Sequence, residues 1–130
     1  RSGVRYYNAS KGTNPDAAIQ AIRAMKGPTL LIAGGYDKEA RYDEWVNEFE
    51  GRVKYLVLIG QTRDKISECA KAHGFTDIMY AEDMSEAVSV CASYANMGDN
   101  VLLSPACASW GMFKDYEERG RIFKECVRNL

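Results

Sequence analysis

Several features are scarce in this 130-residue sequence, and each scarcity narrows what the protein does. No apolar run approaches the ~20 residues that a membrane-spanning helix needs, so no membrane partner is expected. No charged-then-apolar leader opens the sequence, so no secretory signal is expected. Charge of one sign is not in excess: 17 Lys and Arg face 18 Asp and Glu, a net charge of -1. A phosphate-binding surface shows as a basic excess, so nucleic acid is excluded as the main partner. The four cysteines, Cys69, Cys91, Cys107 and Cys126, lie far apart, with no C-x-x-C pair and a single histidine, His73. That spacing argues against a metal site and against a disulfide framework, and suits a reducing, cytoplasmic setting. There is no G-x-x-x-x-G-K-[ST] phosphate loop, and no G-x-G-x-x-G follows the first predicted strand. Only three prolines occur. Each falls where a regular element starts or stops, as a residue without an N–H must.

What is present is an ordinary globular balance, 46% hydrophobic and 27% charged, in a length that suits one domain. Gly3–Tyr7 reads as a short strand. Asn14-Pro15-Asp16 is a helix start, with an N-cap asparagine, a proline at the first position and an acid in the first turn. Ala18, Ile19, Ile22 and Met25 mark that helix's apolar face, and Gly27-Pro28 ends it. Thr29–Ala33 and Tyr55–Ile59 are continuous apolar runs, the pattern of strands covered on both faces. Between them Tyr42, Trp45, Val46 and Phe49 follow helical spacing up to Gly51. A helix through Ile66, Cys69 and Ala70 stops at His73-Gly74, where the histidine most simply meets the last carbonyls. Asp77–Tyr80 is a further short strand. Ala87, Val88, Cys91, Ala92 and Ala95 stripe the next helix, and Val101–Leu103 is the last strand. A final helix runs from about Tyr116, with Ile122, Phe123, Cys126, Val127 and Leu130 on one face.

Alternating strands and helices imply βαβ units and a mostly parallel sheet; the short first strand is expected at an edge, antiparallel to its neighbour. Three polar segments then follow strands and can gather at one edge of the sheet, where open α/β sheets bind ligands. After Tyr7 come Lys11 and Thr13; after Ala33 come Gly34-Gly35 and Lys38; after Leu103 come Ser104, Cys107 and Ser109. Pro105 must end the last strand, and the small residues Ala106–Ala108 let a ligand or another backbone approach. Two lysines with hydroxyls suit a small dianion better than a polynucleotide. The plainer account makes these segments tight strand-to-helix turns and Lys38 a solvated charge.

At the same segments the sequence resembles a known family. Asn8-Ala9-Ser10-Lys11-Gly12-Thr13-Asn14 is similar to the Asn-Asp-Ser-Lys-Ala-Thr-Asn motif that opens the C-terminal domain of Mur ligases. Gly34-Gly35-Tyr36-Asp37-Lys38 resembles that domain's Gly-Gly-x-x-Lys segment. Leu103-Ser104-Pro105-Ala106-Cys107-Ala108-Ser109 resembles the signature of the member that adds D-glutamate, and Phe113-Lys114-x-Tyr116-Glu117-x-Arg119-Gly120 continues the match.

The resemblance implies an α/β, Rossmann-like three-layer domain spanning residues 1–130, with nucleotide-sugar and ATPase domains absent. It implies D-glutamate contacts at Thr13, Lys38, Ser109, Trp110 and Tyr116, the last through its backbone. It implies an interdomain, ATP-facing role for Asn8, Ser10, Lys11 and Asn14, and no metal ligand or complete catalytic set within this segment. The implied reaction joins D-glutamate to UDP-N-acetylmuramoyl-L-alanine through an acyl phosphate, with ATP and Mg2+ held mainly by a central domain. One departure stands out: Ala9 replaces the family's aspartate, which is expected to touch the nucleotide ribose. Two other functions compete: a stand-alone Rossmann-like module for a small anion or nucleotide, and a nucleophilic role for Cys107, which lacks an obvious histidine base.

Overall fold

The computed structural model describes residues 3–130. Among them are five strands: β1 (Arg5–Asn8), β2 (Thr29–Ala33), β3 (Val53–Leu58), β4 (Ile78–Tyr80) and β5 (Asn100–Leu103). Five helices connect or follow them: α1 (Pro15–Ala24), α2 (Asp43–Val46), α3 (Arg63–Ala72), α4 (Met84–Tyr94) and α5 (Tyr116–Arg128). The strands form a single sheet in the order β1-β5-β2-β3-β4. Every neighbouring pair is parallel.

The expected antiparallel edge strand is therefore corrected. β1 runs parallel to β5, with Tyr6 opposite Val101 and Asn8 opposite Leu103. The reason is the connection. One 10-residue helix, α1, carries the chain back to the starting edge before β2, so β1 and β2 must point the same way.

The central strand β2 is buried along its whole length. Its alternating side chains feed two cores. Leu31 and Ala33 join Ile22 of α1, Trp45 of α2 and Ile66 of α3 on one face. Leu30 and Ile32 join Met84 and Val88 of α4 and Phe123 of α5 on the other.

The helix starts follow the local sequence. Asn14 caps α1, its Oδ1 accepting from Ala17 N at 2.9 Å. Asp83 and Asp115 cap α4 and α5 by accepting from Glu86 N and Glu118 N. Those two glutamates reach back to Glu82 N and Lys114 N, a reciprocal arrangement that satisfies donors left over at a helix start. α2 is shorter than the spacing of Tyr42, Trp45, Val46 and Phe49 predicts, ending at Val46. Phe49 is buried all the same, because a tight turn with Phe49 N on Val46 O brings it inward. Its ring meets Trp45 edge-on at 5.0 Å and Phe75 at 5.3 Å. The apolar pattern predicted burial correctly and helix length incorrectly, since both a helix and a tight turn recur near three residues.

Candidate functional site

The three polar segments follow β1, β2 and β5, strands that lie side by side in a parallel sheet. Their loops consequently leave from the same edge and touch. The β2 and β5 loops are stitched by Gly34 N on Pro105 O and Tyr36 N on Ala108 O, both 2.9 Å, the second an isolated antiparallel bridge. The β1 loop joins through Ala9 N on Leu103 O at 2.8 Å. Gly35 N donates to Thr62 Oγ1 at 3.0 Å, which ties in the start of α3.

Close approach is built in. Gly34 has φ 108°, and a Cβ there would collide with the carbonyl oxygen of Ile59. Ala106 also takes a left-handed φ, 61°, inside the buried β5 loop. For a residue with a Cβ that conformation costs about 1–2 kcal/mol, and such strain collects where a loop shape is needed for function.

Within this framework the predicted residues separate into two groups. Lys11, Lys38, Trp110 and Tyr116 are exposed and Thr13 is half-buried. Lys38 Nζ lies 6.0 Å from the Trp110 ring centroid, and Trp110 meets Tyr36 edge-on at 5.3 Å. Lys38 and Trp110, predicted from different loops, are thus brought together. Ser10, Asn8 and Asn14 have internal duties instead. Asn8 Oδ1 accepts from Ser10 N at 3.0 Å. Asn14 caps α1. Ser10 is buried and its Oγ donates to the Tyr116 carbonyl at 2.7 Å. Ser109 is buried, and its carbonyl accepts from Phe113 N at 3.0 Å. Ser104 Oγ and Trp45 Nε1 are buried side-chain polar atoms that find no hydrogen-bond partner among the described residues.

The group that holds these loops together is Arg119, which stands in the matched family motif but to which the sequence reading assigns no role. Its side chain is fully buried. Nε donates to Ser10 Oγ at 2.9 Å, Nη2 to Ser10 O at 2.8 Å and Nη1 to Cys107 O at 2.9 Å. One planar fork therefore joins the β1 loop, the β5 loop and α5. Burial lowers its pKa to about 10, so it stays cationic at neutral pH. A sequence signal existed: Arg119 sits one turn before Phe123, a charge on the apolar stripe of α5.

Cys107 belongs to the frame. Its Sγ lies 3.3 Å from Tyr42 Oη and 3.4 Å from Thr62 Oγ1. Burial raises its pKa despite those hydroxyls and the Arg119 charge, the opposite of an activated thiolate. His73 meets the last carbonyls of α3 as expected, through its backbone N–H, 3.2 Å from Cys69 O and 3.1 Å from Ala70 O, while its ring turns to α2. Nε2 pairs with Asp43 Oδ1 at 2.9 Å, across from α2.

The fold and this loop edge define the class first: a parallel three-layer α/β domain whose strand-end loops form a rigid frame around an exposed lysine–tryptophan pair. The chain belongs to the Mur ligase family, since residues 1–107 match the domain described as "Mur ligase, glutamate ligase domain". It is 61% identical over 130 residues to a UDP-N-acetylmuramoylalanine–D-glutamate ligase of Lachnoclostridium phytofermentans and 59% identical to that of Lachnospira eligens. The match covers 100% of this chain and 29% of each relative. The fold is also that of a Thermotoga maritima UDP-N-acetylmuramate–alanine ligase, at TM-score 0.60 and 12% identity, over 98% of this chain and 27% of that one.

Proposed function

We propose that this chain is the C-terminal, D-glutamate-binding domain of a ligase that joins D-glutamate to UDP-N-acetylmuramoyl-L-alanine in peptidoglycan synthesis, working in the cytoplasm. The observation that carries this is the sheet order β1-β5-β2, which sets the three motif-bearing loops side by side. D-Glutamate brings two carboxylates and one amine. Lys38 supplies the cation for a carboxylate, and its neighbour Trp110 gives an apolar wall that lowers the local dielectric. Thr13, Ser109 and the backbone at Tyr116 complete the D-glutamate contacts in this proposal. The Arg119 fork holds two of the loops in register, so a ligand meets a preformed surface.

The residues of this chain do not by themselves fit an ATP or Mg2+ site. Asn14 and Ser10 are committed to α1 and α5, and no glycine-rich phosphate loop is present. In the proposal both belong to the rest of a longer ligase, with Lys11 facing them and the isolated domain inactive. A stand-alone module for a small anion or nucleotide is disfavoured by relatives that match this chain end to end.

Two-dimensional NMR with D-glutamate, and L-glutamate as control, tests the proposal. Shifts centred on Thr13, Lys38, Ser109, Trp110 and Tyr116, stronger for the D form, are expected. Lys38→Ala should weaken binding about tenfold or more, equivalent to about 1.4 kcal/mol. Equal response to both enantiomers, or none in a full-length ligase carrying this domain, would overturn it.

A further inference from the structure

α3 presents Cys69 and His73 at i and i+4, so both side chains lie on one face of the helix. That face meets Asp43 at the start of α2. Cys69 Sγ lies 3.7 Å from Asp43 Oδ1 and His73 Nε2 lies 2.9 Å from the same oxygen. The three donor atoms all fall within 4.8 Å of one another. Tetrahedral zinc, with bonds of about 2.0–2.3 Å, sets its ligand atoms about 3.3–3.6 Å apart. The observed separations bracket that spacing, so small side-chain rotations suffice.

We propose that Asp43, Cys69 and His73 form a three-ligand site for a borderline-soft divalent transition metal, with Zn2+ the ion that fits best. The donor set is the argument. Thiolate sulfur, imidazole nitrogen and carboxylate oxygen are together the ligands of zinc, whereas Mg2+ and Ca2+ take oxygen. The ligands stand on anchored elements: α3 buries Ile66 and Ala70, and α2 buries Trp45 and Val46. Asp43 and Cys69 are half-buried, and His73 opens to solvent, which leaves a fourth position for water. Arg41 approaches the other carboxylate oxygen of Asp43, Oδ2, at 3.8 Å, so it does not stand between Oδ1 and the other two ligands. The separation of the cysteines in sequence hides this site, because its ligands come from one thiol, the lone histidine and an acid 26 residues before the thiol.

The bound ion would clip α2 to α3. The residue before Asp43 is Tyr42, whose hydroxyl contacts Cys107 in the β5 loop, so the clip would stiffen one wall of the loop frame.

Cobalt titration of the 130-residue chain under reducing conditions tests the site independently of any ligase activity. One equivalent of Co2+ should give a sulfur-to-cobalt charge-transfer band and the intense visible bands of tetrahedral cobalt, and Zn2+ should bleach both. Cys69→Ser should abolish the charge-transfer band, while Cys126→Ser keeps it. His73→Gln, which alters an exposed ring, should keep the fold and weaken Co2+ binding at least tenfold. Asp43→Asn should weaken it as well. No charge-transfer band at one equivalent, or a band that survives Cys69→Ser, would overturn the proposal. So would unchanged affinity in His73→Gln.

Discussion

Arg119 ties three parts of the loop frame together from one buried guanidinium. Its fork satisfies two carbonyls and one hydroxyl that would otherwise be buried without donors. Arg119→Lys keeps the charge but cannot reach all three acceptors from one point. Loss of about 2 kcal/mol or more is expected, read by urea denaturation, because unpaired buried polar groups cost about 1–3 kcal/mol each. Asp99 is the corresponding acid. Burial alone would raise its pKa, but the Asn96 amide and the Lys54 ammonium, at 2.8 and 2.7 Å, more than offset that and hold it below the usual carboxylate value. A depressed folded pKa contributes stability above the unfolded value of about 3.9 and loses it as pH falls through the folded value. Asp99→Asn should therefore be less stable than the parent at pH 7. The gap between the two should close as the pH drops below about 4, measured by thermal melts across pH.

The loop after β2 is the element whose shape the site depends on most. Gly34 meets the β3 end so closely that any Cβ collides with backbone, which cannot rotate away. Gly34→Ala should cost at least about 2 kcal/mol and shift the amide resonances of Tyr36 and Ala108, which bridge at 2.9 Å. The helices show how far local signals reach. The Asn14 cap and the acids opening α5 were legible, because capping chemistry acts within one turn, whereas α1 stops at Ala24 with an extended Met25 as its C-cap, two residues before the expected Gly27. The length of α2 was not, because Phe49 reaches the core through a turn that tertiary packing selects. The direction of β1 was not legible either, since pairing with β5 links residues about 95 positions apart.

Across the whole molecule the sheet makes one cooperative unit of two cores. Leu31 faces α1, α2 and α3, and its neighbour Ile32 faces α4 and α5. A change on either face must loosen the strand that both share. Leu31→Ala should cost about 2–5 kcal/mol and Ile32→Val about 0.5–1.5. In both variants the fluorescence of buried Trp45 and the far-UV circular dichroism should report a single coincident urea transition. Separate transitions for the two probes would mean that the faces unfold independently.

Continuous apolar runs, helical spacing, helix caps and three strand-end motifs determined by themselves that the chain is α/β and that Lys11, Thr13, Lys38 and Ser109 follow strands, in loops able to gather at one edge. Those features are local, or repeat along the chain, so the sequence displays them. The tertiary structure alone decided which polar residues serve the frame and which face outward. It buried Ser10 and Arg119 to hold the loops together, left Lys38 beside Trp110 and set His73 against Asp43. Burial and pairing depend on groups that the fold brings together from far along the chain, and no local pattern encodes those distances.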